Sequence, residues 1–157
     1  MTQTTIFIGD SVTDCGRLEL PPFGDGYVSR IAASGQLEGQ VINVGTSGHR
    51  LVDLVERWQR DVLGHQPTRL SINIGINDTW RRYDDNDPTD VDDFEANYRL
   101  VIDQVLYRAV LVPFDQMFNQ LAEVEPMSAL AEDGIHPTAA GHQLMADLWI
   151  SRVLPNL

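Results

Sequence analysis

The chain has 157 residues, and 11 Lys and Arg against 23 Asp and Glu give it a formal net charge of −12. This balance disfavours nucleic acid and anionic membranes as partners, because like charges repel. A hydrophobic content of 43% and one cysteine predict a single domain over residues 1–157 with no internal disulfide. No apolar run approaches the roughly 20 residues of a membrane helix, and the N-terminus lacks the basic region of a signal peptide. We therefore expect a soluble, cytoplasmic protein.

Strand-like and helix-like segments alternate along the chain. Four short apolar runs are typical of parallel strands covered on both faces. They are Thr5–Ile8, Val41–Val44, Leu70–Ile74 and Ala109–Val112. Helical spacing links three further sets of residues, which are Leu51, Leu54, Val55 and Trp58; Phe94, Tyr98, Val101, Ile102 and Val105; and Leu144, Leu148 and Val153. This order predicts an α/β fold, a three-layer sandwich with a flavodoxin-like parallel sheet and helices on both faces.

An acidic segment, residues 84–93, holds six aspartates in ten residues. It lacks the glycine and the closing glutamate of an EF-hand calcium loop. We interpret it as an exposed loop that leads into a helix, with Thr89 or Asp90 as the N-cap.

Polar residues follow the predicted strands at the points where each strand ends. Ser11 follows the first strand, Gly45 the second and Asn77 the third, while Asp133 and His136 precede the last helix. Because ligands of such sheets bind beyond the carboxyl ends of the strands, we expect these residues to meet at one edge.

This set of residues has the parts that acyl transfer needs. His136 can take the proton of Ser11, and Asp133, three residues earlier, can orient the imidazole. The backbone N–H groups of Ser11 and Gly45 and the side-chain amide of Asn77 can donate to an oxyanion. No metal or organic cofactor is required. A zinc site formed by Asp133, His136 and His142 does not match the usual ligand spacings.

Four further residues are candidates for a substrate pocket. His49 follows in the second loop, and Trp80 and Tyr83 follow Asn77, where aromatic faces could stack on a sugar. Asp10 precedes Ser11, and its side chain can also brace the turn below that residue by hydrogen bonds to the backbone. A surface or core role is an open alternative for His49, Trp80 and Tyr83.

The four blocks, in this order, resemble those of the SGNH hydrolases, the GDSL esterase superfamily. They are Ser11 in IFIGDSVTDCGR, Gly45 in VINVGTSGHR, Asn77 in INIGINDTWRRYD, and Asp133 with His136 in DGIHPTAAGH. The flanking stretches GYVSRIA and RWQRDVL are similar to the carbohydrate-esterase branch that includes intracellular acetylxylan esterases. The resemblance implies the same residue roles, removal of acetyl groups from sugars, and assembly into homo-oligomers.

The chain departs from the family pattern near residues 105–109. Family members have a further strand and helix between the helix that ends near Val105 and the strand predicted at Ala109–Val112. The sequence leaves two explanations, a true deletion that the fold repairs or residues missing from the sequence itself. A missing central strand is expected to expose apolar edges and to misplace the loop of His136.

The sequence thus predicts a serine esterase that hydrolyses short-chain, chiefly acetyl, esters on carbohydrate through an acyl-enzyme. Two alternatives stay open. One is a thioesterase or lysophospholipase on the same scaffold, and the other is a non-catalytic binding protein that retains the motifs without the geometry.

Overall fold

Three parallel strands form the sheet in a computed structural model that describes residues 3–105 and 109–156. The strands are β1 (Thr4–Gly9), β2 (Gln40–Asn43) and β3 (Arg69–Asn73), in the order β2-β1-β3. Ile6 of β1 lies opposite Ile42 on one side and Leu70 on the other. The central strand is buried along its whole length, which explains its continuous apolar sequence.

Eight α-helices occur in the described residues. They are α1 (Ser11–Asp14), α2 (Tyr27–Ala33), α3 (Leu51–Asp61), α4 (Ile76–Asp84), α5 (Val91–Ile102), α6 (Phe114–Leu121), α7 (Met127–Leu130) and α8 (Ala139–Val153). Short 3-10 helices follow α3 at Leu63–His65 and α8 at Leu154–Asn156. Within residues 3–105 and 109–156, none of these helices has the length and apolar character that crossing a membrane requires.

Helices cover both faces of the sheet, as the alternation of elements predicts. On one face Phe7 of β1 packs against α2 and α8 in a core that includes Tyr27 and Trp149. On the other face Ile6 and Ile8 pack against α3 and α5. Successive side chains of a strand point to opposite faces, so β1 contributes to two cores. The three-layer α/β class is confirmed.

The predicted fourth strand is wrong, because Ala109–Val112 has no strand structure. Val110 is 42% and Leu111 80% exposed, and Val112 packs instead against the core beside α2 and α8. Burial of Val112 and of the following α6 against that core replaces pairing with β3. The preceding stretch Leu106-Tyr107-Arg108, where the chain departs from the family pattern, lies outside the described residues.

Two of the three predicted helical stripes match the buried faces. Leu51, Leu54 and Trp58 of α3 are buried, and α5 packs through Phe94, Tyr98 and Val101. In α8 the predicted stripe of Leu144, Leu148 and Val153 is only half-buried. The buried face there is formed by Gly141, His142, Met145, Ala146 and Trp149. The stripe was displaced because a polar residue, His142, and a glycine occupy core positions.

The acidic segment connects α4 to α5 and is exposed at most positions. Asp90 is the N-cap of α5, and its side chain accepts a hydrogen bond from the N–H of Asp92. This agrees with the prediction of a solvated loop that starts a helix.

Candidate active site

Ser11 lies where β1 ends and α1 begins. Asp10 is the N-cap of α1, and its Oδ1 accepts a hydrogen bond of 3.0 Å from the N–H of Val12, as the bracing role predicts. Ser11 is the first residue of the helix, so its own N–H has no acceptor within the helix. The turn therefore presents both the hydroxyl and the amide of Ser11 at the carboxyl edge of the sheet.

A tight turn before α8 positions the acid and the histidine. Asp133 Oδ1 accepts hydrogen bonds from the N–H of Ile135 at 2.9 Å and from the N–H of His136 at 2.7 Å. Gly134 has a φ of +79°, a left-handed conformation that glycine adopts without strain. Thr138 then caps α8 by accepting from the N–H of Gly141. The turn holds the carboxylate beside the imidazole three residues later.

Ser11, His136 and Asp133 form a continuous chain of hydrogen bonds. Ser11 Oγ lies 2.9 Å from His136 Nε2, although 125 positions separate the two residues. His136 Nδ1 lies 2.6 Å from Asp133 Oδ2. The hydrogen bond from the His136 ring is the main cause that holds the pKa of the Asp133 carboxyl below its usual value, so this group is ionised at neutral pH. The expectation that the His136 loop would be misplaced is wrong.

The loop after β2 differs from the sequence interpretation. The N–H of Gly45 donates to Oδ1 of Asn43 at 2.9 Å, so its only hydrogen is not available to an oxyanion. A Cβ at Gly45 would overlap the backbone of Thr13 and Asp14, which explains why glycine is needed there. The N–H of Gly45 therefore points to Asn43, which does not agree with the prediction that this N–H donates to the oxyanion.

Gly48, in the same loop, is the residue that the sequence analysis overlooked. It is exposed with a φ of +80°, and a side chain of α4, that of Arg81, is the nearest group to the position of a Cβ. Within the described part of the chain, its N–H has no acceptor. The next residue, His49, accepts a hydrogen bond of 2.9 Å from Nδ2 of Asn77. The sequence feature that could have indicated Gly48 is that it is a second glycine in the same loop as Gly45.

Asn77 and His49 are thus linked, but not as two side chains in one pocket. Asn77 is buried at the start of α4 and uses one hydrogen of its amide for the His49 carbonyl, which leaves the other for a ligand. The His49 ring is half-buried, and burial lowers its pKa, with the nearby Arg57 as the second cause. His49 contributes to the site through its backbone.

The two aromatic candidates, Trp80 and Tyr83, lie in different surroundings. The Trp80 ring lies 6.1 Å from the His136 ring, measured between centroids, so it borders the site. Tyr83 lies three residues after Trp80 on α4, and it is 78% exposed. The structure therefore places Trp80 beside the triad and leaves the Tyr83 side chain in solvent.

Two cavities flank the turn that carries His136. One of about 330 Å³ has a mixed polar and apolar lining, formed by Glu132, Asp133, His136, Pro137 and Thr138. The other, of about 160 Å³, is mainly apolar and reaches from Asp10 and Val12 to Ile135 and Pro137.

The burial of Asp10 raises the pKa of its carboxyl to about 6, although a hydrogen bond from Val12 and the charge of His136 act in the opposite direction.

The geometry of the site agrees with what sequence comparison finds. A model of the GDSL-like lipase/acylhydrolase family matches residues 7–124. An acetylxylan esterase from Geobacillus stearothermophilus is 30% identical, over 96% of this chain and 94% of that protein. The chain belongs to the GDSL-like lipase/acylhydrolase family. It is a carboxylic ester hydrolase, as the motifs predict.

Solved structures of this family are also similar. The crystal structure of the Geobacillus acetylxylan esterase is 28% identical with a TM-score of 0.87, covering 95% of this chain and 93% of that one. Catalytic mutants of that enzyme, with a serine, a histidine or an aspartate replaced by alanine, match similarly. An α/β hydrolase from the metagenome of Lake Arreo, 24% identical, shares the fold with a TM-score of 0.85 over 95% of this chain and 94% of that one.

The comparison also bears on the length of this esterase. Its alignment with the Geobacillus enzyme spans 205 positions against 157 residues, so at least 48 positions have no counterpart in this chain. The chain nevertheless covers 94% of that protein from end to end. The positions that have no counterpart in this chain are therefore largely internal, as the abrupt junction near residues 105–109 indicates.

The histidine of the zinc alternative, His142, has another partner. Its Nδ1 accepts a hydrogen bond from the N–H of Tyr27, and its Nε2 lies 3.2 Å from Sγ of Cys15. Burial lowers its pKa to about 4, with Arg30 as the next cause. His142 therefore caps α2 from α8 instead of joining Asp133 and His136. Across residues 3–105 and 109–156, no three His, Cys, Asp or Glu side chains are grouped as metal ligands.

Proposed function

We propose that Ser11 is the nucleophile, His136 the general base and Asp133 the orienting acid in ester hydrolysis through an acyl-enzyme. The observation that carries this proposal is the continuous hydrogen-bond chain from Ser11 Oγ through His136 to Asp133. An ionised Asp133 accepts a hydrogen bond from the Nδ1–H of the imidazole, which leaves Nε2 as the acceptor that faces the serine hydroxyl.

The first half of the reaction acylates the serine. Ser11 Oγ attacks the carbonyl carbon of the ester while its proton moves to His136 Nε2. The tetrahedral intermediate then collapses, the bond to the alcohol oxygen breaks, and His136 returns the proton to the leaving alcohol. Asp133 stabilises the imidazolium that exists between these two steps.

The second half releases the acid. A water molecule gives a proton to His136 and attacks the acyl carbon, and the serine oxygen leaves with that proton. Side chains handle each proton and electron pair in both halves, so the mechanism requires no metal or organic cofactor.

Three donors are assigned to the oxyanion. They are the N–H of Ser11, the remaining amide hydrogen of Asn77 and the N–H of Gly48, which takes the role that the sequence assigns to Gly45. The link from Asn77 to the carbonyl of His49 fixes the Gly48 loop beside α4. Losing one such donor typically costs about 3–4 kcal/mol of transition-state stabilisation.

We assign short acyl esters of carbohydrate as substrates, with acetyl the first candidate. The name of the Geobacillus relative supports this class. The cavity of about 330 Å³ beside His136 offers the carboxylate of Glu132 to sugar hydroxyls. Trp80 adds an aromatic face near the imidazole. The assembled triad argues against the non-catalytic alternative, whereas a thioesterase or lysophospholipase activity differs only in the acyl and leaving groups.

Fluorophosphonate labelling followed by intact-mass measurement tests the assignment. We expect one adduct per chain, absent in Ser11→Ala and retained in Ser47→Ala, whose hydroxyl donates to Asp14 at the end of α1. Hydrolysis of acetylated xylooligosaccharides should be lost in Ser11→Ala alone. Labelling that persists in Ser11→Ala would contradict the assignment of the nucleophile.

A further inference from the structure

The apolar cavity of about 160 Å³ is lined by residues adjacent in sequence to Ser11 and His136, but not by the triad residues themselves. Asp10 and Val12, which flank Ser11, line one end, and Ile135 and Pro137, which flank His136, line another. The cavity therefore lies beside the two turns that carry Ser11 and His136. The remaining lining comes from β3 and its continuation, from the start of α4, and from α6 and α8.

The cavity lies at the end of β3, whose outer side has no paired strand among the described residues 3–105 and 109–156. β3 is the last strand in the order β2-β1-β3, and Ala109–Val112 does not pair with it. The rings of Phe114 and Phe118 on α6 approach this side instead, opposite Ile74, which directly follows β3. Side chains from a helix cover the edge less completely than a paired strand would, and the space between them stays open.

We propose that this cavity is an acyl pocket and that the enzyme accepts linear acyl chains of four to six carbons in addition to acetyl. This inference rests on the proposed function, since it requires the acyl group to be carried on Ser11. The occupant is an alkyl chain because all the lining residues except Asp10 and Asn73 are apolar.

Size sets the limit on the chain. An apolar cavity of about 150 Å³ is large enough for benzene, which has six carbons. The present cavity has nearly the same volume, so butanoyl and hexanoyl chains fit and a decanoyl chain does not. Asp10 and Asn73 supply the polar part of the lining, which restricts the favourable contact to the apolar portion. Each buried methylene should raise kcat/KM by about fourfold.

Steady-state kinetics with 4-nitrophenyl acetate, butanoate, hexanoate and decanoate test the pocket. In the unmodified protein, kcat/KM should rise by about tenfold or more from acetate to butanoate and fall again at decanoate. Phe118→Trp reduces the cavity and should lower the hexanoate-to-acetate ratio at least tenfold. Phe118→Ala enlarges it and should shift the preferred chain to a longer one. Asn119→Ala, an exposed change on the same helix, should leave the profile unaltered.

The outcomes distinguish failure of the acyl pocket from failure of the esterase assignment. Hydrolysis of acetate with a profile that declines with length, and that neither Phe118 variant alters, would overturn the pocket while leaving the esterase assignment intact. Absence of hydrolysis for all four esters, together with absence of fluorophosphonate labelling, would overturn both. The two Phe118 variants shift the preferred length in opposite directions, which partial unfolding cannot imitate.

Discussion

At the scale of single residues, Asp10 places a carboxyl in the interior next to Ser11. Its pKa is about 6 in the folded protein against 3.8 as the ordinary value. Between these values the folded state keeps a proton that the unfolded state has lost. The contribution of Asp10 to stability is therefore fully present below pH 3.8 and is lost as the pH rises through 6.

Replacing Asp10 by Asn should remove this loss. The amide oxygen can still accept from the N–H of Val12, and no charge has to be buried. We expect the free energy of unfolding of Asp10→Asn, relative to the unmodified protein, to be higher at pH 8 than at pH 4 by up to about 3 kcal/mol. Urea unfolding at both pH values measures this difference. Asp103→Asn, an exposed change, is the control, and a pH-independent effect of Asp10→Asn would contradict the account.

The three residues of the triad could be predicted from the sequence, whereas the glycine that we propose as an oxyanion donor could not. Ser11 directly follows a strand, and Asp133 precedes His136 by the three residues of one turn, so local spacing decides both. The choice between Gly45 and Gly48 depends on where each N–H points. That direction follows from the side chain of Asn43 and the contact with α1, neither of which sequence spacing encodes.

At the scale of elements, a buried arginine joins α3 to the ends of two strands. Arg57 is 6% exposed, and its Nη1 donates to the carbonyl of Val44 at 2.6 Å and its Nη2 to that of Gly9 at 3.1 Å. Asp61, one turn later, balances the charge at 2.8 Å. The arginine thus fixes the strand ends from which the Ser11 and Gly48 loops start. In the sequence, Arg57 follows Leu54 by three residues and so lies on the apolar side of the predicted helix. That spacing is the feature that indicates a buried arginine.

Arg57→Met should therefore destabilise the fold. The substitution keeps much of the volume but removes the donor of the Val44 carbonyl and one of the two donors of the Gly9 carbonyl, and it leaves Asp61 with only an exposed partner. We expect a loss of about 3 kcal/mol or more in the free energy of unfolding, measured with urea. Arg60→Met is the matched control, because Arg60 also pairs with Asp61 but is 76% exposed, and it should cost less than about 1 kcal/mol. Equal effects of the two changes would contradict this role.

The elements that failed prediction are those whose structure depends on a neighbour. Ala109–Val112 has the composition of a strand, but a strand needs a partner, and the segment lies apart from the free side of β3. The three strands that were predicted correctly are adjacent in the sheet and share one core. Apolar composition indicates burial, and only pairing decides whether a buried segment becomes a strand.

At the scale of the whole molecule, the shortened sheet keeps the site because its parts come from other elements. Ser11 and the two rim loops follow the three strands that are present, and the turn of His136 is carried by α8, which packs against α2. The motifs therefore predict the fold class even though the chain is at least 48 positions shorter than the aligned length. The same shortening leaves apolar side chains at the surface, above all Leu111.

We expect the segment Ala109–Val112, whose first three residues are exposed, to mediate self-association. Leu111 is 80% exposed, and burying such a side chain between chains is worth about 2 kcal/mol. Sedimentation velocity should show dimers or larger assemblies of the unmodified protein, and Leu111→Glu should weaken their association at least tenfold. Leu18→Glu is the control, because Leu18 is similarly exposed, at 72%, in the connection between α1 and α2.

The net charge of the chain predicts how the strength of this self-association changes with salt concentration. Each chain carries a formal charge of −12, so two chains repel each other, and salt screens that repulsion over distances of about 10 Å at 0.1 M. Association through an apolar segment should therefore strengthen when the NaCl concentration rises from 20 to about 300 mM. An interface held by ion pairs would weaken over the same range. A monomer at all salt concentrations, or equal effects of Leu111→Glu and Leu18→Glu, would show that Ala109–Val112 does not hold the assembly.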